Sequence, residues 1–184
     1  EVGYPVALKM INPRLLHKTE AGAVVLNLRD EESLNLAAAK MKSDVLVYDA
    51  KAVGELFLVE AMSPDPLVQL VINLRQDSQF GAALVLGSGG VLVELLADSA
   101  TLLLPTRPSE IIRALKRLRV GSLLEGYRGR PAVDILSVAN EIYKLCITFQ
   151  EHKETLSEIE INPLFVYRTQ VSAIDVLMQV SIDE

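Results

Sequence analysis

Tryptophan is absent from this chain of 184 residues, aromatic residues make up only 5%, and cysteine occurs once. The lone Cys146 excludes an intramolecular disulfide framework and a cysteine-built zinc site. With so few aromatics, the core must come from Leu, Val, Ile and Ala. Half the residues are hydrophobic, which excludes a disordered chain. Positive charge is scarce too: 18 Lys and Arg face 24 Asp and Glu, a net charge of −6 that argues against a general nucleic-acid binder. No apolar run is long enough to span a bilayer, and no signal peptide is visible. A cytoplasmic protein with no nucleic-acid partner and no membrane partner is expected.

The length suits one domain or two small lobes. Strands are expected at Val6–Ile11, Ala23–Leu28 and Glu55–Met62. A helix is expected from a cap at Asp30 to Ser43, because Leu34, Ala37, Ala38 and Met41 recur at helical spacing. Ser63-Pro64-Asp65-Pro66 is a stiff connector, so the expected lobes are residues 1–62 and 63–184. Beyond it, Leu67–Leu74, Ala82–Leu86 and Val91–Leu96 read as three consecutive strands. Two helices follow, one from a cap at Ser109 to about Arg119 with Gly121 ending it, the other from Asp134 to about Gln150. Residues 158–167 and 171–175 read as a closing pair of strands. The fold class is α/β or α+β. Since Glu1-Val2-Gly3-Tyr4-Pro5 lead straight into a strand, the chain is expected to be cut from a longer one.

Several residues carry chemistry, each beside a plainer reading. Lys9 interrupts an apolar strand, and either points to solvent or offers a point charge to a phosphate. His17 lies in the polar loop 14–22. It is either a surface histidine or a nucleophile that takes and passes a phosphoryl group. Gly87-Ser88-Gly89-Gly90 is either a tight turn or a backbone approach to an anion. Neither a P-loop nor a dinucleotide fingerprint surrounds it. Glu94 sits at a sheet edge or faces a site. The basic residues Arg107, Arg113, Lys116, Arg117, Arg119, Arg128 and Arg130 form a solvated face or attract a polyanion. Asn162 and Asp175 close two strands that pair antiparallel. They are turn residues, or two oxygen donors for a hard cation such as Mg²⁺, which keeps water and phosphates at its other positions.

YPVALK (4–9), LLHKTEAG (15–22), RQDSQFG (75–81), LGSGGVLVELLAD (86–98), LLEGYRGRPAVD (123–134), EIEINPLFVY (158–167) and AIDV (173–176) occur in one order across nearly the whole chain. In that order they resemble the ATP-grasp domain of nucleoside-diphosphate-forming acyl-CoA synthetases, the beta subunit of ADP-forming acetyl-CoA synthetase above all. The same domain accompanies some bacterial protein lysine acetyltransferases. The resemblance implies an ATP-grasp fold with a truncated first lobe and a second lobe like that of succinyl-CoA synthetase. It implies an acid–thiol ligase that binds ATP or ADP with Mg²⁺, and a CoA-binding subunit or fused domain as partner; a homo-oligomer is compatible with it.

By the same resemblance Lys9 holds nucleotide phosphates and His17 carries phosphoryl between sites. Glu60 and Met62 lie on the hinge segment against which adenine packs, Gly89 and Gly90 contact nucleotide, Glu94 approaches the phosphohistidine, and Asn162 and Asp175 hold Mg²⁺. One departure stands out: Gln69 occupies a position where the family carries Glu. It motivates an alternative, a non-catalytic or regulatory module that senses nucleotide or acyl-CoA beside an acetyltransferase.

Overall fold

The computed structural model describes residues 2–15, 18–90 and 98–180. Chain contacts divide it into two units, Glu1–Asp65 and Pro66–Glu184.

The first unit is a three-stranded antiparallel sheet backed by one helix. Strand β1 (Val6–Ile11) lies between β2 (Val24–Leu28) and β3 (Leu56–Ala61). Alternation puts Val6, Leu8 and Met10 on one face, where they join Met41 and Val45 of helix α1 (Glu31–Tyr48) in a single core. Asp30 caps α1 as expected: its carboxylate accepts the Ser33 N–H at 2.7 Å, and the Ser33 hydroxyl oxygen accepts the Asp30 N–H at 3.3 Å. The Ser33 backbone N–H, and then the Ser33 hydroxyl, hold the Asp30 carboxyl below its usual range. The helix continues past Ser43 because Val45, fully buried, has further sheet to cover.

The second unit is a six-stranded antiparallel sheet with helices on one face. Its strands are β4 (Val68–Asp77), β5 (Gly81–Ser88), β6 (Ser99–Leu103), β7 (Leu156–Val166), β8 (Val171–Ala173) and β9 (Val176–Val180). The order is β6-β5-β4-β7-β8, and β9 pairs another stretch of β7. Three helices follow β6 in the chain: α2 (Pro108–Arg117), the one-turn α3 (Gly121–Leu124) and α4 (Ile135–Glu151). Leu70, Ile72, Leu74, Leu84 and Leu86 of the sheet share one core with Ile111, Leu115, Ile142 and Phe149 of the helices. Gln69, Val71, Asn73 and Arg75 therefore stand on the opposite face of β4. Cys146 lies in the core, and burial pushes its thiol up to about 12. Among the described residues no helix is long and apolar enough to cross a membrane.

The expected strand Val91–Leu96 lies outside the described residues; the described outer partner of β5 is β6. Three details differ from the sequence reading. Helix α2 is capped from Arg107 rather than Ser109. Pro108 fills its first position, which needs no N–H, and the Glu110 carboxylate accepts the Arg107 N–H at 3.0 Å. Gly121 opens α3 instead of closing α2; a Cβ there would lie 2.7 Å from the Lys116 carbonyl oxygen. Strand β7 runs unbroken through Asn162-Pro163, so Asn162 is interior to a strand.

Candidate functional site

In the first unit Lys9 is only 7% exposed, which overturns the solvent-facing reading. Its Nζ stands 2.7 Å from Glu60 Oε2. Lys9 pairs in register with Leu58 and Glu60 with Ala7, so the two side chains meet on a diagonal of one sheet face. The Met62 N–H donates to the Pro5 carbonyl at 3.1 Å. Ladder alternation then commits the Glu60 N–H and C=O to Ala7 and turns those of Val59 and Ala61 outward. Among the described residues no strand pairs that outer edge. The backbone donors and acceptors this segment leaves free are thus those of Val59 and Ala61, one step out of phase with Glu60 and Met62.

In the second unit four residues converge on one end of β4. The Gly89 N–H donates to the Gln69 carbonyl at 2.9 Å, which pins the glycine turn onto β4. Gly90 has φ +69°, the left-handed region, and a Cβ there would overlap Gln69 Oε1. The Gly90 N–H donates to Asn162 Oδ1 at 3.3 Å. The Asn162 N–H in turn donates to the Asp175 carbonyl at 3.1 Å. Leu70 pairs with Leu164 and Ile72 with Ile161, so Asn162 and Pro163 together oppose Val71. This is a β-bulge, a device that re-aims a side chain, and Pro163 has no N–H to lose to the ladder.

The set suits a small hard cation. Asn162 carries an amide oxygen, and Asp175, which meets it through its backbone carbonyl, carries a carboxylate; both are types of hard donor that Mg²⁺ takes from protein. Beside them Gly89 and Gly90 are closely packed: a Cβ would strike the Leu70 backbone at Gly89 and the Gln69 side chain at Gly90. Among the described residues no group of three or more His, Cys, Asp or Glu is placed to hold a metal by itself. His17 and Glu94 lie outside the described residues.

Two contacts near this end were not legible in the sequence. Asn73 Nδ2 donates to Glu158 Oε1 at 2.5 Å and to Glu160 Oε2 at 3.4 Å, gathering two carboxylates on one sheet face. The period-two Glu158-Ile159-Glu160 pattern signals that face, but its pairing with Asn73 needs the register. Asp98 accepts the Ser88 hydroxyl at 3.1 Å and the Arg119 N–H at 2.6 Å, tying the end of β5 to the chain after α2. The basic residues spread out. Arg113 and Arg117 line a shallow cavity of about 170 Å³ between β6 and α2, Lys116 pairs with Glu125 at 2.9 Å, and Arg128 lies 5.2 Å from the Tyr127 ring centre.

The comparisons agree with this architecture. A family model described as an ATP-grasp domain matches residues 1–180. The beta subunit of ADP-forming acetate–CoA ligase II from Pyrococcus furiosus is 31% identical over 176 residues, 95% of this chain and 73% of that protein. The beta subunit of ligase I from the same organism is 31% identical over 97% of this chain and 76% of its own length. Among solved structures, the dinucleotide forming acetyl-coenzyme A synthetase 1 of Ca. Korarchaeum cryptofilum, in complex with coenzyme A, Ca-AMPCP and HgCl⁺, superposes with a TM-score of 0.88 at 30% identity. That match covers 98% of this chain and 78% of the other. A second structure of that synthetase holds coenzyme A and Mg-AMPPCP, its phosphohistidine segment pointing towards the nucleotide binding site. It matches with a TM-score of 0.78 at 28% identity, over 97% of this chain and 78% of that one. The chain belongs to the ATP-grasp family, in the group formed by the beta subunits of ADP-forming acetate–CoA ligases.

Proposed function

We propose that this chain is the nucleotide-binding part of a cytoplasmic ADP-forming acyl-CoA synthetase, working with a CoA-binding subunit or domain. The overall reaction is acyl-CoA + phosphate + ADP ⇌ carboxylate + CoA + ATP. The observation that carries the reading is the convergence of Gly90, Asn162 and Asp175 in a chain that matches a ligase beta subunit over 95% of its own length and 73% of that subunit's. Lys9, buried on β1, offers its ammonium to nucleotide phosphates, and the outward backbone groups of Val59 and Ala61 read the base. Asn162 and Asp175 hold Mg²⁺, which when bound offsets charge on the phosphoryl oxygens. The His17 imidazole takes a phosphoryl group from acyl phosphate and gives it to ADP, so one long transfer becomes two short ones. Glu94 supports the phosphohistidine.

The test is phosphoryl labelling of the chain, together with its CoA-binding partner, by γ-labelled ATP. The wild type should label on histidine and His17→Asn should not; full labelling of His17→Asn refutes the relay. A second reading is motivated by Gln69, whose neutral amide stands where the family carries a carboxylate: a non-catalytic module that senses nucleotide. It predicts calorimetric binding of Mg·ADP with no labelling of His17.

A further inference from the structure

We infer that Gln69 is a positioning residue for the cation site, acting through Gly90 on Asn162. The inference rests on the assignment of Asn162 and Asp175 to Mg²⁺ made above, and it names what orients one of those ligands. Three contacts build the chain of action. The Gly89 N–H bond to the Gln69 carbonyl, 2.9 Å, fixes the glycine turn against the start of β4. The Gln69 carboxamide then fills the space into which a side chain at residue 90 would project, seating Gly90 at φ +69°. Seated there, Gly90 aims its N–H at Asn162 Oδ1, 3.3 Å away.

That last bond does two things to Asn162. An N–H accepts nothing, so it selects the oxygen rather than the NH₂ end of the carboxamide, and the amide is oriented. A carbonyl oxygen also has two lone pairs, so one remains for a cation while the other takes the Gly90 N–H. Outer-shell donors of this kind govern metal affinity without touching the metal. Asn162 sits at the bulge in β7, its backbone N–H held by the Asp175 carbonyl and its side-chain oxygen by the Gly90 N–H. Glutamate at position 69 has the same length and branching as glutamine, so the seat for Gly90 asks for the shape of this side chain and not for its charge.

The probe is Mn²⁺, titrated by electron paramagnetic resonance into the full chain with saturating ADP, beside calorimetry of ADP without metal. Gln69→Ala should weaken Mn²⁺ binding about tenfold, the low end of the range for outer-shell partners, and leave metal-free ADP affinity unchanged. Gln69→Glu, which keeps the seat, should bind Mn²⁺ at least as tightly as the wild type. Unchanged Mn²⁺ affinity in Gln69→Ala, or an equal loss for metal-free ADP, overturns the positioning role. Wild type that binds ADP but no Mn²⁺ overturns the cation assignment itself, and the inference with it. A second measurement guards against misfolding: Gly90→Ala should lower the melting temperature less in the Gln69→Ala background than in the wild type, because the group it strikes is gone. Equal losses in both backgrounds would show that Gln69 does not seat Gly90.

Discussion

Lys9 and Glu60 form a 2.7 Å ion pair between the two strands, the lysine side chain 9% exposed and the glutamate 42%. The asymmetry decides what each substitution does. Lys9→Met removes a charge from a buried position and leaves Glu60 in reach of water, so stability should stay within about 1 kcal/mol of wild type. Glu60→Ala takes a carboxylate away from a buried ammonium and should cost about 1–3 kcal/mol. Mg·ADP affinity should fall at least tenfold in Lys9→Met and far less in Glu60→Ala. Urea unfolding and calorimetry of the two variants check both statements, and a reversed order of stability would refute the burial argument.

Acid should weaken the helix caps. The Ser33 N–H holds the Asp30 carboxyl below the ordinary value of 3.8, and the Ser137 hydroxyl and then its N–H do the same for Asp134. A depressed carboxyl adds stability above its unfolded value and loses that stability as pH falls through its folded value. The melting temperature should therefore be flat from neutral pH towards 5 and fall below about 4. Asp134→Asn keeps a capping oxygen that does not titrate, so its acid limb should be shallower. An identical limb would remove Asp134 from the explanation.

These caps were readable because their chemistry is local: an acidic residue before a periodic apolar run meets its own first turn. The same holds for the core face of α4. What was not readable depended on partners far along the chain. Asn162-Pro163 has the composition of a turn, yet β4 on one side and the chain around Asp175 on the other hold it inside β7. Period-two spacing is the same for a lysine facing water and one facing a covered surface, and the carboxylate that meets Lys9 comes from another strand. Gln69 was visible as an odd residue in a familiar pattern, but its contact with Gly90 exists only once β4 and the end of β5 are side by side.

Phe149 is fully buried at the centre of the second unit's core. Phe149→Ala should cost roughly 3–5 kcal/mol. If the two units unfold separately, the upper of two calorimetric transitions or the lower one should move alone; the other should stay in place. A single transition that shifts as a whole would mean that the chain melts as one cooperative block.

Arg128 holds φ +47°, a backbone region that suits glycine, in an exposed loop between Gly126 and Gly129. Arg128→Gly relieves that strain but loses the contact with Tyr127 and frees the unfolded chain. The net change should lie within about 1 kcal/mol of zero. A loss well beyond that, measured by chemical denaturation, would mean that the guanidinium has a structural partner of greater weight.

The buried thiol of Cys146 has a practical consequence. At neutral pH it is protonated and out of reach, so an alkylating dye added to the native protein finds no target. A cysteine introduced at an exposed position such as Tyr127 would take a single fluorophore without any change to the natural one. Slow modification of Cys146 itself, followed by mass, would then count the moments at which the second unit opens far enough to admit solvent.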